Sequence, residues 1–277
     1  MFCLTTGGIL NIFGDWLLVM KLNMGVYGAG MATAISQMVS FCILLFMFRK
    51  MAQSKISLRF VSRNVKLYFS IFRVGLPSLI RQSLNAVTTG ILNNLTKQFG
   101  DAAIAAMSVV SRYAMFLMCV GLGMGQGFQP VASFNYRAQK YDRVKKGLIF
   151  LMIFALIVIG GASTVSIFLA PEVISIFQKA PGVIEVGLPA LRNYAFGMIF
   201  MSFSVPVNML YQSIQKPTIS SILSMIRSGA VTIPILLIGV PLLGLPVIQT
   251  AQPIADVLAG CISIPFILSF LRKNHEE

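Results

Sequence analysis

An all-α, polytopic membrane protein with eight transmembrane helices is the fold class this sequence predicts, and three observations predict it. Eight long apolar stretches lie between Phe2 and Arg272, and a run of about 20 apolar residues is what one helix needs to cross about 30 Å of hydrocarbon. The basic residues between the stretches fall almost entirely into every second gap, the asymmetry expected when Lys and Arg are retained on the cytoplasmic side. The chain is 56% hydrophobic and 11% charged with mean hydropathy +0.82, whereas a soluble domain carries about 25% charged residues.

The elements follow in order, with helices expected at about 2–20, 26–48, 64–97, 101–128, 146–170, 184–214, 217–240 and 246–271. Lys21 alone closes the first, and Gly25 leads into the second. The stretch 49–73 carries Arg49, Lys50, Lys55, Arg59, Arg63, Lys66 and Arg73 with no acid, and marks the passage from the second helix to the third. Lys97 and Asp101 follow the third, and Pro130 is expected to end the regular part of the fourth. Arg137, Lys140, Arg143, Lys145 and Lys146 stand against Asp142 in the next gap. Lys179 with Glu172 and Glu185, then Lys216, then Gly244 mark the remaining gaps, and Arg272 and Lys273 follow the last helix. Even gaps, residue 1 and the C-terminus are therefore expected in the cytoplasm.

The first helix starts at residue 2 with no polar lead, as in the middle of a longer membrane protein. Transporters are often built from six-helix halves, so the organisation expected is two plus six. Residues 1–48 would be the last two helices of one lobe, 49–66 a basic cytoplasmic linker, and 67–277 a complete six-helix lobe. A faint internal echo accompanies this division: Gly25 and Gly244 each open a helix, and polar Gln37 and Asp256 each follow twelve residues later.

The charge of +14 would suggest nucleic acid in a soluble protein. Here the basic groups lie in short loops rather than on one face, so no nucleic-acid partner is expected. Cys3, Cys42, Cys119 and Cys261 sit within apolar stretches without paired spacing and read as small buried hydrophobes. There is no CxxC or HExxH, and the single His275 is in a polar tail. Asp15 interrupts the first helix and no basic residues precede it, which argues against a signal peptide. An intramembrane enzyme would need clustered His and acids or aspartate-rich motifs, so no catalytic residues and no cofactor are expected.

Ionisable side chains inside a span cost about 3 kcal/mol or more each and are functional candidates by default. Five stand out: Asp15, Arg81, Arg112, Arg227 and Asp256. Arg227 and Asp256 each lie about ten residues into antiparallel neighbouring helices, near the midplane, and read as a structural ion pair. Arg112 has no partner in its own segment and could compete for Asp256. Asp15 has no basic residue at its depth. Asn11 lies one turn before it, and Thr33 lies at a comparable depth on the returning helix. These oxygen donors could form a cation pocket or a protonatable site; equally, Asn11 and Asp15 could bond to neighbouring helices.

On the third helix Ser78, Gln82, Asn85, Thr89, Asn93 and Thr96 follow at steps that average one helical turn. With Arg81 beside it, this stripe reads as a cavity wall contacting solute, with hydrogen bonding between helices as the alternative. Gly121, Gly123, Gly125 and Gly127, followed by Pro130, read as a hinge or tight packing point. No strand precedes them and no GK[ST] follows, so a nucleotide loop is not expected.

The segments Gly7-Gly8-Ile9-Leu10-Asn11-Ile12-Phe13-Gly14-Asp15 and Gly25-Val26-Tyr27-Gly28-Ala29-Gly30-Met31-Ala32-Thr33 resemble the fifth and sixth helices of the multidrug and toxic compound extrusion (MATE) family. Gly75-Leu76-Pro77-Ser78 resembles the start of its seventh helix. Gly125-Gln126-Gly127-Phe128-Gln129-Pro130, with Asn135-Tyr136 and Tyr141-Asp142-Arg143, resembles its eighth helix and the following loop. The similarity spans nearly the whole chain in order. It implies helices five to twelve of a two-lobe antiporter that expels solutes, often lipophilic cations, in exchange for H⁺ or Na⁺. It further implies a cation site at Asn11, Asp15 and Thr33, and no metal beyond Na⁺ at Asp15. Family members with a cation site in the second lobe carry acids there; here Asn85 stands near one of those places and no acid at the other.

The expectation is therefore a truncated efflux transporter, multi-pass in the cell membrane, with the bilayer and a small-molecule solute as partners and a monomeric full-length form. A flippase for lipid-linked precursors is the alternative, because Arg81 and Arg112 would suit an anionic headgroup.

Overall fold

The computed structural model describes residues 2–51 and 64–273 of the chain. Most of the basic linker, including Lys55, Arg59 and Arg63, lies outside the described residues, as do His275 and the side chains of Cys3, Arg73 and Lys273. All regular structure among the described residues is helical. α1 (Phe2–Asp15) continues into a π-helical turn at Trp16–Lys21, and α2 (Gly25–Met51) returns after three residues. α3 (Val65–Thr96) and α4 (Asp101–Arg137) follow. α5 (Tyr141–Ala155), a π turn (Leu156–Gly160) and α6 (Gly161–Phe168) form one continuous rod, followed by the short α7 (Ala170–Phe177). α8 (Pro181–Ser213) precedes a broken helix made of α9 (Pro217–Met225), a π turn (Ile226–Ala230) and α10 (Thr232–Leu243); α11 (Leu245–Lys273) is the last.

The ends have local causes. Proline occupies the first turn of α7, α8 and α9, where its missing N–H has no helical partner to lose. Asp101 and Asp142 lie in the first turns of α4 and α5, where a carboxylate complements the helix dipole. Gly25 and Gly244, the two echoing glycines, both have positive φ (55° and 71°), which a residue without Cβ adopts at little cost.

Among the described residues, six rods are long and apolar enough to cross a membrane: Gly25–Lys50, Asp101–Arg137, Tyr141–Phe168, Pro181–Ser213, Pro217–Leu243 and Leu245–Arg272. The chain is thus a multi-pass membrane protein. The first and third apolar stretches are also helical, but α1 is short before its π turn and α3 carries the polar stripe.

Three expectations change. α4 runs on past Pro130 to Arg137 as one helix, so the proline removes one N–H without ending the ladder. The fifth stretch begins at Tyr141, just beyond the turn at Gln139. Cys42, Cys119 and Cys261 are exposed rather than buried, because apolar side chains of membrane helices face lipid as readily as protein.

The chain divides into two compact units, Met1–Val65 and Lys66–Glu277. In the first, α1 packs on α2, with Gly14 against Ala32. In the second, α8 is the central post: 78% of its apolar window is buried, against 33–39% for the other spanning rods of that unit. α4 and α11 pack along it. One apolar cluster around Met107, Leu191, Met201 and Ile248 fills one part of this unit, and a second around Leu148, Leu210, Tyr211 and Phe270 fills another.

Candidate functional site

In the first unit, close approach of Gly14 to Ala32 brings the polar positions of α1 and α2 together; an added Cβ at Gly14 would lie 3.0 Å from the Ala32 methyl. Asn11 Nδ2 donates to Thr33 Oγ1 at 3.2 Å. Thr33 donates in turn to the Ala29 carbonyl at 3.0 Å, the back-bond open to a helical threonine. Asp15 lies one turn beyond Asn11, at the point where α1 passes into its π turn. It is half-buried and makes no ion pair among the described residues; its Oδ1 is buried with no hydrogen-bond partner. An unpaired carboxylate oxygen withdrawn from water lacks the partner that a charge in that setting needs.

The second unit holds a separate polar group centred on the π turn of the broken helix. The Arg227 Nε donates to Asp256 Oδ1 at 3.0 Å, with both side chains buried, and its Nη2 reaches Met201 Sδ at 3.1 Å. Gln252, one turn before Asp256, donates to the Arg227 carbonyl at 3.2 Å and accepts from Thr232 at 3.3 Å. The Thr88 hydroxyl of α3 donates to the Ser228 carbonyl at 3.0 Å. Gly229 leaves helical geometry here (φ 165°, ψ −25°), and an added Cβ would lie 2.7 Å from Thr88 Oγ1. The side chains of Thr88 and Gln252 thus serve carbonyls of a turn whose ladder is disturbed, as is required of irregular backbone at membrane depth.

Beside this group Asn208 of α8 donates to the Ser220 carbonyl and to Ser224 Oγ, both at 2.8 Å, and accepts from Ser220 Oγ at 3.2 Å. A cavity of about 20 Å³ is lined by Arg81, Ser204, Asn208, Ser224, Arg227 and Ser228 together with apolar side chains. Arg81 is half-buried, and its Nε is buried without a hydrogen-bond partner.

The remaining sequence candidates separate. Gln82, Asn85, Thr89 and Asn93 are exposed on the second unit. Ser78 is tied inward through Gln212, which also accepts from Gln129, and Thr96 is buried, bonded to the Leu92 carbonyl. Arg112 is exposed on α4 and is not brought to Arg81 or Asp256. Of the glycines, Gly121 and Gly125 are buried and face Met201 and Met209, whereas Gly123 and Gly127 face open space. Within continuous α4 the run forms a packing face and not an unwound segment. Sequence reasoning passed over Thr88, Asn208 and Gln252. It also passed over Arg192, which is exposed and donates to the Ile167 carbonyl at 3.3 Å.

A family model described as MatE matches residues 77–238. The chain is 25% identical over 268 residues to the multidrug export protein MepA of Staphylococcus saprophyticus, covering 96% of this chain and 58% of that protein. It is 24% identical over 274 residues to the MepA protein of Staphylococcus aureus (strain NCTC 8325 / PS 47), with the same coverage. The chain therefore spans less than two thirds of the length of these relatives. Among solved structures, an outward-facing multidrug resistance MATE family transporter of the MOP superfamily matches with TM-score 0.86 at 21% identity, over 100% of this chain and 63% of that one. A MATE structure in complex with MaL6 matches equally, with TM-score 0.86 at 21% identity and the same coverage. At that identity the likeness establishes the fold.

Proposed function

We propose that this chain, which belongs to the MatE family, forms part of a secondary active multidrug exporter that moves small, often lipophilic cationic solutes outward in exchange for H⁺ or Na⁺. The observation that carries the coupling half of this reading is the buried, unpartnered Asp15 Oδ1, one turn from the Asn11–Thr33 hydrogen bond. Binding of the coupling ion at Asp15 neutralises a charge that is costly in a low dielectric. That change in charge biases the packing of α1 against α2 and couples ion entry to solute release.

In this reading all eight apolar helical stretches span the membrane. Residues 1–48 supply two helices to one lobe and 67–277 form the other, with the basic loops and the C-terminus in the cytoplasm. Relatives described as multidrug export proteins favour drug efflux over lipid-precursor flipping.

The test is efflux of a fluorescent lipophilic cation from membrane vesicles under an imposed pH or Na⁺ gradient. It is run with this chain alone and with the chain joined to the preceding helices of a relative. Asp15→Asn is expected to abolish gradient-driven efflux in whichever form transports. Undiminished coupled efflux in that variant overturns the role of Asp15.

A further inference from the structure

We propose that the cavity between Arg81 and Arg227 in the second unit is a binding site for one chloride-sized anion, independent of the exchange of H⁺ or Na⁺ assigned to the first unit. Two guanidinium groups contribute to its lining and no carboxylate does. Asp256 is the buried acid of this group; it engages Arg227 through Nε and does not line the cavity. The group therefore holds two positive charges against one negative charge, about halfway along the rods that carry it. The unbalanced charge is that of half-buried Arg81, which is unfavourable at that depth, and an anion relieves it.

The hydrogen-bonding groups here are also short of acceptors. Each guanidinium carries five N–H donors and no acceptor. Arg227 spends one on Asp256 and one on the Met201 sulfur, a weak acceptor. Arg81 Nε is buried with no acceptor at all. Ser224 accepts from the Asn208 amide, which leaves its own O–H to donate. The surroundings thus offer donors in excess, and the missing partner is an acceptor with negative charge. A metal cation or an organic cation is the wrong sign for this lining.

Volume sets the size of that partner. About 20 Å³ is a small cavity, on the scale of a single small anion such as a halide and far below the roughly 300–1,000 Å³ of sites for drug-sized solutes. An anion there would tie α3, through Arg81, to the π turn that carries Arg227. Thr88, Leu92 and Thr96 of α3 are buried, and much of the rest of its described surface faces outward.

The experiment follows helix melting of the purified chain in detergent by circular dichroism. Chloride is titrated against gluconate at constant Na⁺ and ionic strength, with bromide and phosphate as further arms. Chloride and bromide should raise the melting midpoint saturably, and gluconate and phosphate should not. Arg81→Gln should weaken the chloride response by about tenfold or more, the loss expected for one charge-assisted hydrogen bond, while Arg81→Lys keeps part of it. If Arg81→Gln does not fold, chloride NMR line width on the unaltered chain decides: broadening relieved by bromide supports the site. Equal melting in chloride and gluconate, an unchanged chloride response in Arg81→Gln, stabilisation by phosphate, or no bromide-sensitive broadening each overturns it.

Discussion

Arg227 on the broken helix and Asp256 on α11 are joined Nε to Oδ1 at 3.0 Å, and Gln252 holds the Arg227 carbonyl one helical turn away. The same arginine is thus gripped by its side chain and by its backbone from a single face of α11.

Because each charge compensates the other, removing one is expected to cost more than removing both. Arg227→Leu or Asp256→Leu alone should lose about 3–5 kcal/mol of stability, and the double leucine variant should recover much of that loss. Thermal unfolding of the four proteins in one detergent checks this; a double variant no better than either single overturns the pairing role.

The Asn11–Thr33 hydrogen bond is exposed and neutral, so its contribution is modest. Asn11→Ala and Thr33→Ala should each lower apparent affinity for the coupling ion by a few-fold to about tenfold, corresponding to about 0.5–1.5 kcal/mol. Asp15→Asn should remove the ion dependence entirely. Half-saturating Na⁺ and the pH midpoint of efflux are the quantities to compare.

Substitutions along the glycine run should alternate in effect. Gly125→Ala drives a methyl to 2.7 Å from Met209 Cγ, in the middle of a packed side chain, and should cost about 1–3 kcal/mol. Gly121→Ala meets the terminal methyl of Met201, which can swing aside, and should cost less. Gly123→Ala and Gly127→Ala face open space and should be neutral or gain about 0.5–1 kcal/mol. Melting temperatures of the four variants test the order.

Thr88→Val keeps shape but withdraws the donor from the Ser228 carbonyl. A loss of about 1–3 kcal/mol is expected, with Thr88→Ser close to the unaltered chain. Equal stability of the valine and serine variants would show that the carbonyl is served in another way.

Much of this arrangement could be read from residue numbers because helix rise is fixed. Depth reckoning sets Arg227 beside Asp256 and Asn11 beside Thr33, whichever loops join them. Facing direction was less legible. The glycine run reads as one feature in sequence, yet the helical period puts Gly121 and Gly125 on a packed face and Gly123 and Gly127 on an open one. Thr88 was overlooked because its neighbour Thr89 fits the polar stripe, although it is Thr88 that points inward. Gln252 was overlooked because its principal partner is a carbonyl loosened by a π turn, and nothing in the apolar pattern marks where a ladder widens. Pro130 misled in the opposite direction: a breaker by chemistry, it sits within an uninterrupted helix.

One residue, Gly244, separates α10 from α11, and a linker that short cannot stretch. The hairpin is therefore pinned twice, once at its tip and again at the arginine–aspartate clasp. Its two arms are unequal, since Arg227 lies five residues farther from Gly244 than Asp256 does. The widened turn and the kink at Gly229 lie on the longer arm. Any tilting of this hairpin must then carry both arms together as far as the clasp, and the segment before it, Pro217–Met225, is moored to a different post, the Asn208 amide of α8 through Ser220 and Ser224.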